Sequence, residues 1–540
     1  MKDISSTGSF IDFTLENFIY VDKTEYIPKL VKLKRVFISR PRRFGKSLTL
    51  DTIATLFETG VEPYFKGTWI YDKWTEPTYP VLRLNFLDLD KYSLEHFKQK
   101  LNAIISSFAR DINVKNYEEK VEPEDTIYFL LDELRKEKRQ IVILIDEYDC
   151  QMTANINNET LYKQFQEKIK SFYANIKDKF AIKFLGITGV TRLKDVSIFS
   201  VGSDINDITN ASAYSQMIGF TRDEIKKYYI DYLKLASSYE NNCSVDDVTD
   251  TQLESMLDMM AQNYDGYCFD EDYEKKVFST WSVNKFFQTM IEKKKVQFGE
   301  YWYDNGGLPS ILVNYLKTHE LNIFEYLDKD KFLKVSSDDF KNPTALTTIN
   351  QNVLMCQTGY LTLRSDLNKT STVALGIPNG EIYKALNRLL ANNIFKGNTD
   401  ITDDYGRSLL EVGTVDDIIN LFNSALNSVS YDNYPIVSES SVQNMLKLYL
   451  LGAHQKVLSE VHEAKGRADL VVNTDNRRIV FEFKYAKNET EAKSKLLDAV
   501  EQIKTRDYGN IVPKKTELLR IATVFNADPK VRAFTEFQLV

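Results

Sequence analysis

The segment Ser39–Ser47 has the composition of a phosphate-binding loop. It reads SRPRRFGKS, with a β-rich run before it and a helical pattern after it. In that context, backbone N–H groups and a helix N-terminus favour an anion. Lys46 is expected to reach the β- and γ-phosphates of a nucleotide, and the Ser47 hydroxyl is expected to ligate Mg²⁺. Arg40 stands where the usual loop has its first glycine, so a basic turn at a helix start is the alternative interpretation.

A second motif, Ile141–Asp149, reads IVILIDEYD. Aliphatic residues that lead into Asp-Glu are typical of a buried strand ending at a metal-holding carboxylate. Asp146 is predicted to hold Mg²⁺ through water, and Glu147 to orient and deprotonate the attacking water as a general base. A buried strand with a solvated acidic turn is the alternative, but the order of loop and strand within one αβ region favours a nucleotide site.

A further predicted strand, Ile182–Ile187, ends in Thr188-Gly189. A polar side chain beside the Asp-Glu strand could sense the γ-phosphate, and Thr188 is the candidate. Arg192 is a candidate for a phosphate contact or a contact between subunits. A strand-end turn with a surface arginine explains these two residues equally well.

The segment between Tyr26 and Leu50 contains eight Lys or Arg residues and no Asp or Glu. Part of this charge is expected to face nucleotide phosphates. Arg42 and Arg43 could instead face a nucleic acid or a partner, and loop solubility is the simplest alternative. The predicted nucleotide-binding residues are Arg42, Arg43, Phe44, Gly45, Lys46, Ser47, Asp146, Thr188 and Arg192.

A second group of chemically suggestive residues lies near the carboxyl terminus, in Ser459–Val472 (SEVHEAKGRADLVV) and Ile479–Lys484 (IVFEFK). Asp469 enters one predicted strand, and Glu482 and Lys484 project from the same face of the next. Two carboxylates on adjacent strands can bind divalent cations, and a nearby lysine can orient or help deprotonate a water that attacks a phosphodiester. Oxygen ligands favour Mg²⁺ or Mn²⁺.

Three more polar residues could complete this site. Glu460 is predicted as a further metal ligand, with Glu463 as a competing carboxylate that the sequence does not exclude. Gln502, in the helix predicted after the E-x-K strand, could position the water or the backbone phosphate. An ordinary αβ domain with surface charges is the alternative, because E-x-K alone is common by chance.

Three zones of predicted structure position these residues: 1–235, 236–440 and 441–540. Alternation of strands and helices in the first zone implies a mainly parallel sheet with helices on both faces. The middle zone is mostly helical by pattern, with charged stretches such as Ile291–Val296 predicted as solvated helix faces. The first zone's predicted strands are Arg35–Arg40, Val81–Phe86, Ile141–Asp146 and Ile182–Ile187, and its helices include Ser47–Glu58, Leu94–Asp111, Thr126–Lys138 and Thr160–Lys177. The third zone's elements are a helix at Val442–Leu451, strands at Lys456–Val461, Ala468–Asn473 and Arg478–Phe483, a helix at Glu489–Thr505 and a final strand near Leu519–Phe525.

Composition limits the classes of protein. The 540 residues are 43% hydrophobic and 27% charged, as in ordinary globular proteins. A net charge of −8 excludes a wholly basic nucleic-acid coat but not a local basic groove. The longest aliphatic run, Ile141–Ile145, is far shorter than the roughly 20 residues that span a bilayer, so a cytoplasmic protein without a membrane partner is expected. Four widely spaced cysteines argue against a zinc site or a disulfide framework.

Further motifs occur in a fixed order with these two groups of residues. Together they resemble the bacterial AAA-ATPase-like proteins that carry a C-terminal PD-(D/E)XK nuclease-superfamily domain. The motifs are Tyr20–Thr24 (YVDKT), Ser39–Leu48 (SRPRRFGKSL), Ile143–Asp149 (ILIDEYD), Ile187–Arg192 (ITGVTR), Ser197–Ser200 (SIFS), Tyr264–Phe269 (YDGYCF), Tyr301–Tyr303 (YWY), Gln357–Leu363 (QTGYLTL), Ile377–Glu381 (IPNGE), Gly466–Asp469 (GRAD), Glu482–Lys484 (EFK) and Gln502-Ile503.

The resemblance implies an α/β multidomain chain. Its parts are an ATP-binding P-loop domain of the ASCE type, a helical middle and a restriction-endonuclease-like αβ domain. The family's loop signature tolerates the missing first glycine at Arg40.

Three functions remain in competition at this point. The first is an ATP- and Mg²⁺-dependent nuclease that acts on DNA, with nucleotide gating the C-terminal site. The second is an ATP-dependent regulatory switch whose C-terminal domain binds nucleic acid or protein without cutting it. The third is a defence or mobile-element protein whose partner is another protein. The sequence leaves the nucleic-acid substrate and the oligomeric state open.

Overall fold

The computed structural model describes residues 1–176, 180–192, 205–304, 310–316, 319, 323–343, 345–369, 371–395, 405–453, 456–463, 466–506 and 517–540. The motif Ser197–Ser200 lies outside them. The chain divides into two compact units. The first comprises Met1–His319 and Phe332–Ile382, and the second Glu320–Lys331 and Tyr383–Val540. Within the described part of the chain, every helix is too short or too polar to cross a membrane.

The first unit contains a five-stranded parallel sheet with the strand order β2-β3-β4-β1-β5. All six residues of β3 are buried, as expected for a strand covered on both faces. The four predicted strands are confirmed, and β5 is an addition too short to leave a sequence pattern. The strands are β1 (Arg35–Ser39), β2 (Val81–Asn85), β3 (Ile141–Asp146), β4 (Ile182–Gly189) and β5 (Asn206–Asp207).

Helices follow most of these strands, and the four predicted helices of this region are confirmed with small shifts at their ends. A separate helical core packs around buried Tyr229, Met256, Met260 and Phe287. The helices are α1 (Phe10–Leu15), α2 (Ile27–Leu33), α3 (Lys46–Thr59), α4 (Leu94–Asp111), α5 (Pro123–Lys136), α6 (Cys150–Ala154), α7 (Glu159–Ile176), α8 (Arg222–Tyr228), α9 (Ile230–Asn241), α10 (Asp250–Tyr264), α11 (Thr280–Lys293), α12 (Tyr301–Asp304), α13 (Ser310–Leu316), α14 (Ser337–Lys341) and α15 (Gln351–Thr358).

The predicted middle zone contains a small antiparallel sheet that the sequence pattern missed. Its strands are β6 (Leu333–Ser336), β7 (Thr362–Leu363) and β8 (Thr372–Gly376), in the order β6-β8-β7. Strands of two to five residues are too short to show an alternation. The charged run Ile291–Val296 was predicted as a helix face, but α11 ends at Lys293, and Lys294 has φ +52°.

The second unit contains a mixed five-stranded sheet with the order β13-β12-β11-β10-β9. β11 and β12 are parallel, and the other neighbouring pairs are antiparallel. The predicted elements are confirmed, except that β13 follows the strand expected to be the last. The elements are α17 (Tyr405–Val412), α18 (Val415–Asn427), α19 (Glu439–Gly452), β9 (Lys456–Glu463), β10 (Gly466–Asn473), β11 (Arg477–Ala486), α20 (Glu489–Arg506), β12 (Glu517–Asn526) and β13 (Ala533–Leu539), and α16 (Gly380–Ile394) precedes them across the boundary between the units.

Candidate nucleotide and metal sites

The phosphate loop connects β1 to α3 and borders a cavity of about 370 Å³ in the first unit. Gly45 has φ +102°, a conformation that favours glycine, and α3 begins at the next residue. The loop residues from Arg42 to Thr49 line the cavity together with Glu147. The loop, the start of the helix and the acidic strand end therefore meet at one cavity, as the sequence predicts.

Lys46 is held inside the loop by its own backbone. Its side chain is only 4% exposed, and Nζ donates hydrogen bonds to the carbonyl oxygens of Arg40 (3.1 Å) and Pro41 (3.2 Å). The same ammonium lies 3.5 Å from Oε1 of Glu147. A cation fixed between the loop and a carboxylate is well placed to meet an incoming phosphate.

Asp146 gathers three of the predicted site residues around one carboxylate. Ser47 Oγ donates to its Oδ2 at 2.5 Å, Thr188 Oγ1 donates to its Oδ1, and the Glu147 N–H also donates to Oδ1 at 3.0 Å. Parallel pairing places the ends of β3 and β4 side by side, since Ile145 pairs with Ile187. The Ser47 hydroxyl and the Asp146 carboxylate are hard oxygen donors that fit Mg²⁺.

Arg40, at the position of the missing glycine, is only 1% exposed. Its Nη1 donates to the carbonyls of Ser39 (2.9 Å) and Thr209 (2.5 Å), and its guanidinium lies 4.2 Å from the ring centre of Phe269. Burial lowers the pKa of Arg40 to about 9. The Arg40 side chain therefore packs away from the cavity, while the Arg40 backbone carbonyl accepts a hydrogen bond from Lys46 as part of the loop.

The other predicted basic residues have different surroundings. Arg43 has φ +67°, and its Nη1 donates to the carbonyls of Tyr301 (3.0 Å) and Trp302 (3.2 Å). Phe44 is buried against Trp302 and two other aromatic rings. Arg192 forms an ion pair with Asp207 of β5. Arg42 borders the cavity with the rest of the loop, whereas Arg43 and Phe44 also anchor the loop to a neighbouring segment.

Segments outside the phosphate loop also line the cavity. Residues 5–8, 217–220 and part of 20–27 line it, as does Trp281 of α11. Lys23 lies in this wall, where its Nζ donates to Glu224 at 2.7 Å. The sequence signal for this wall is the YVDKT motif at Tyr20–Thr24, to which the sequence alone assigns no role.

The last two residues of the DEYD motif join the ends of β3 and β4. Asp149 is 1% exposed and accepts hydrogen bonds from the Thr191 N–H (2.7 Å) and Thr191 Oγ1 (2.5 Å). The Tyr148 hydroxyl donates to the Thr191 carbonyl at 3.0 Å. A Cβ at Gly189 would lie 2.4 Å from the Tyr148 ring, so only glycine allows this close packing. These contacts fix Glu147 relative to Thr188.

Glu381 is a buried carboxyl group that supports the segment to which Arg43 is anchored. It is 2% exposed and accepts hydrogen bonds from Ser282 Oγ (2.7 Å) and the Trp302 N–H (2.8 Å). Burial raises the pKa of Glu381 from 4.5 to about 8. The native state therefore keeps a proton that the unfolded chain loses at lower pH.

This raised pKa predicts a pH-dependent effect of Glu381→Gln. From pH 4.5 to 8 the unfolded state binds fewer protons than the native state, so wild-type stability falls by up to about 1.4 kcal/mol per pH unit. The neutral variant lacks this loss. Its melting temperature relative to wild type should therefore rise between pH 6 and pH 9, measured by calorimetry. Glu292→Gln on the exposed face of α11 is the control, and a difference that stays constant with pH would contradict the assignment.

In the second unit, the structure brings Asp469, Glu482 and Lys484 together. Leu470 pairs with Phe481 in the antiparallel ladder, so Asp469 on β10 lies beside Glu482 on β11. Oδ2 of Asp469 accepts a hydrogen bond from the Phe483 N–H at 2.9 Å. Lys484 Nζ donates to Oε1 of Glu482 at 2.8 Å. The predicted carboxylate–lysine group is thus compact, with the two acids on adjacent strands.

The electrostatics of this group suit a divalent cation. Burial, and then the charge of Asp469, raise the pKa of Glu482 to about 7, and burial also raises the pKa of Asp469. Burial opposes the charge on Lys484, but the hydrogen bond and charge of Glu482 raise its pKa overall. Oε2 of Glu482 is buried and has no hydrogen-bond partner among the described residues. A buried carboxylate oxygen left unpaired beside a second carboxylate is a position that a hard cation fits.

Sequence reasoning missed Glu439, the first residue of α19. Its Oε1 lies 3.5 Å from Lys484 Nζ, and its charge contributes to the raised pKa values of Asp469 and Glu482. From the same helix, Gln443 Nε2 donates to the backbone carbonyl of Asp469. The sequence predicts this helix only from Val442, three residues after Glu439, and gives no sign that the helix packs against β11.

The remaining predicted residues of this site are placed only in part. Glu460 and Glu463 belong to β9, and their side chains lie outside the description. Gln502 lies on α20, next to Ile503, which packs against Val480 and Ala522 of the sheet. Among the side chains that the structure describes, no group of three or more His, Cys, Asp or Glu residues is arranged to hold a metal ion. The described carboxylates are therefore an incomplete ligand set.

Comparisons with known proteins find similarity over most of the chain. A protein of Azotobacter chroococcum mcd 1, named only as an uncharacterized protein in the vnfD 5′ region, is 26% identical over 532 residues, covering 95% of this chain and 94% of that protein. The Walker-type ATPase of Pyrococcus abyssi is a solved structure with 12% identity and a TM-score of 0.37, covering 68% of this chain and 96% of its own. The Orc1 protein of Aeropyrum pernix, solved in complex with DNA, has 10% identity and a TM-score of 0.27, covering 71% and 97%.

Two family models match separate parts of the chain. The model described as a predicted AAA-ATPase matches residues 5–199, which include the phosphate loop and the Asp-Glu strand. The model of the PD-(D/E)XK nuclease superfamily matches residues 437–534, which include Asp469, Glu482 and Lys484. The predicted fold class is confirmed. The chain thus carries an AAA-ATPase-like domain over residues 5–199 and a PD-(D/E)XK nuclease-superfamily domain over residues 437–534.

Proposed function

We propose that the protein binds and hydrolyses ATP in its first unit and cleaves a DNA phosphodiester in its second, with the nucleotide state controlling cleavage. The observation that carries the nuclease part is the buried Oε2 of Glu482, which has no hydrogen-bond partner among the described residues and belongs to the group with Asp469 and Lys484. The observation that supports the ATPase part is Lys46 held between the loop carbonyls and Glu147.

In the ATPase unit, Lys46 contacts the β- and γ-phosphates once a nucleotide enters the cavity, because its ammonium is already fixed at the loop. Glu147, 3.5 Å from Lys46, orients the attacking water and accepts its proton. Ser47 and Asp146 would hold Mg²⁺, which supplies charge neutralisation at the phosphates when bound. Thr188, hydrogen-bonded to Asp146, links the γ-phosphate position to the end of β4.

In the nuclease unit, Asp469 and Glu482 would hold Mg²⁺ or Mn²⁺, with Glu460 as the proposed further ligand. When bound there, such a cation would supply Lewis-acid stabilisation of the charge that develops on the phosphate. Lys484, already bonded to Glu482 at 2.8 Å, orients the attacking water or helps to deprotonate it. Gln502 positions the water or the backbone phosphate from α20.

The second candidate is an ATP-dependent switch whose C-terminal domain binds nucleic acid or protein without cutting. The incomplete ligand set of the described carboxylates favours it. The two functions separate in one assay, in which supercoiled plasmid is incubated with Mg²⁺ or Mn²⁺, with and without ATP. Nicking that depends on metal and changes with ATP supports the gated nuclease. Plasmid retention on a gel without nicking supports the switch.

Lys46→Ala should weaken ATP binding at least tenfold, about 1.4 kcal/mol. The variant loses the ammonium that the loop carbonyls fix, and the helix N-terminus alone cannot neutralise the phosphates. Isothermal calorimetry with ATP and Mg²⁺ measures the change. Lys29→Ala removes an exposed lysine from the same basic segment and should bind as wild type does. Equal affinities for Lys46→Ala and wild type would overturn the phosphate-loop assignment.

A further inference from the structure

A second large cavity, of about 710 Å³, lies in the first unit at the edge of the parallel sheet away from the phosphate loop. Arg35 and Ile182, the first residues of β1 and β4, line it, as does Gln140, which directly precedes β3. Because the strands are parallel, their starts share one edge and their phosphate-facing ends share the other. The residues of the proposed ATP site do not line this cavity, the basic cleft.

The described residues that line the basic cleft carry a large excess of positive charge. Lys32, Lys34 and Lys73 are exposed, Arg35 is half-buried, and Lys183 is paired with the one acidic lining residue, Glu76, at 2.6 Å. Three exposed lysines therefore line the cleft beyond this pair, in a chain whose net charge is −8. Lys32, Lys34 and Arg35 belong to the acid-free segment that the sequence singles out, and they lie away from the phosphate loop. Such a local excess is the electrostatic footprint of a polyanion site.

Aromatic side chains stand among these charges. Phe180 lines the cleft and is 64% exposed, and Trp74 lines it half-buried. Exposed aromatic faces between lysines are the elements with which proteins bind single strands, since unstacked bases lie on the rings while the phosphates meet the cations. A paired duplex or inorganic phosphate would leave the face of Phe180 unused.

We propose that the basic cleft binds single-stranded nucleic acid, with Lys32, Lys34 and Lys73 on the phosphates and Phe180 against a base. This inference goes beyond the proposed function, because it gives the ATPase-bearing unit its own nucleic-acid contact, independent of the C-terminal metal site. The cleft volume of about 710 Å³ is enough for a short stretch of strand.

The test uses the full chain and a fluorescein-labelled 20-nucleotide oligo-dT, with EDTA present so that no cleavage occurs. The triple variant Lys32→Glu, Lys34→Glu, Lys73→Glu should bind at least tenfold more weakly by fluorescence anisotropy. The slope of log affinity against log salt should fall by about 2, since each lost single-strand phosphate contact contributes about 0.7. Phe180→Ala should weaken binding about fivefold, the lower range for loss of one base–aromatic stack.

The chain offers matched controls for both changes. Lys293→Glu, Lys294→Glu, Lys295→Glu makes the same charge change in an exposed run of the same unit and should stay within twofold of wild type. Tyr128→Ala removes another exposed aromatic ring, on α5, and should have no effect. If circular dichroism shows that the charge-reversed triple variant is unfolded, the variant with Lys32→Gln, Lys34→Gln and Lys73→Gln takes its place.

Four outcomes would overturn the proposal. Equal weakening by the cleft and control triples would mean that only total charge matters. Unchanged affinity in the cleft triple would place nucleic acid elsewhere. Charge dependence without any effect of Phe180→Ala, or full competition by inorganic tripolyphosphate at equal charge, would leave a polyanion surface that does not bind bases. A failed nuclease assignment gives a different result. The wild-type protein would then not nick plasmid, but its affinity for oligo-dT would still depend on the cleft residues.

Discussion

Alanine at Asp469, or separately at Glu482, is expected to abolish metal-dependent nicking of supercoiled plasmid and to leave ATP binding intact. The two carboxylates lie on adjacent strands, and Glu482 has a buried oxygen with no described hydrogen-bond partner. When one of the two acids is removed, the other alone cannot hold a divalent cation beside the phosphodiester. Plasmid nicking measures the loss of cleavage, and Mn²⁺ calorimetry on the same preparations measures the loss of metal binding.

Lys484 and an exposed acid make this prediction specific. Lys484→Ala should also abolish nicking yet still bind Mn²⁺, because an ammonium is not a metal ligand. Asp498→Ala, on the exposed face of α20, should behave as wild type does in both assays. Nicking that survives in both Asp469→Ala and Glu482→Ala would indicate a contaminating nuclease or another site. A wild-type protein that binds no Mn²⁺ and cuts nothing would leave the domain as a binding module.

The elements predicted well from sequence are those whose pattern is long enough to be read locally. The buried run of β3 and the strands on either side of it alternate with helices of 14 or more residues, so the parallel sheet follows from order alone. The strands that were missed are β5 and the β6–β8 sheet, with two to five residues each, and the edge strand β13. Pairing in such strands is decided by neighbours distant in the chain, which no local pattern encodes.

The same division holds for the candidate sites. Ser47 and Asp146 could be placed together because the loop and the acidic strand end belong to one known arrangement, and the 2.5 Å contact agrees with it. Glu439 could not be predicted, because it precedes Asp469 by 30 residues and approaches it only through the packing of α19. Arg40 visibly departs from the loop pattern in the sequence, but its packing against Phe269 depends on a segment far along the chain.

Glu147→Gln should retain ATP and hydrolyse it at least a hundredfold more slowly, in the range expected for loss of a positioned general base. The change keeps the size of the side chain and removes the proton acceptor. The affinity of the variant for ATP should equal or exceed that of the wild type. The carboxylate of Glu147 lies 3.5 Å from Lys46 and would face the γ-phosphate, so its replacement removes a repelling negative charge. Steady-state phosphate release gives the rate, and calorimetry under the same conditions gives the affinity.

The comparison that decides the role of Glu147 is with Glu159→Gln, an exposed acid at the start of α7, which should hydrolyse ATP at the wild-type rate. A Glu147→Gln variant with the wild-type rate would remove Glu147 as the base, whatever its distance from Lys46. A variant that also loses ATP binding would give Glu147 a structural role in the turn after β3, which Tyr148 and Asp149 also hold in place. If even the wild-type protein binds ATP without hydrolysing it, the result favours the ATP-dependent switch over the gated nuclease. A nucleotide that is never hydrolysed can signal only whether the site is filled.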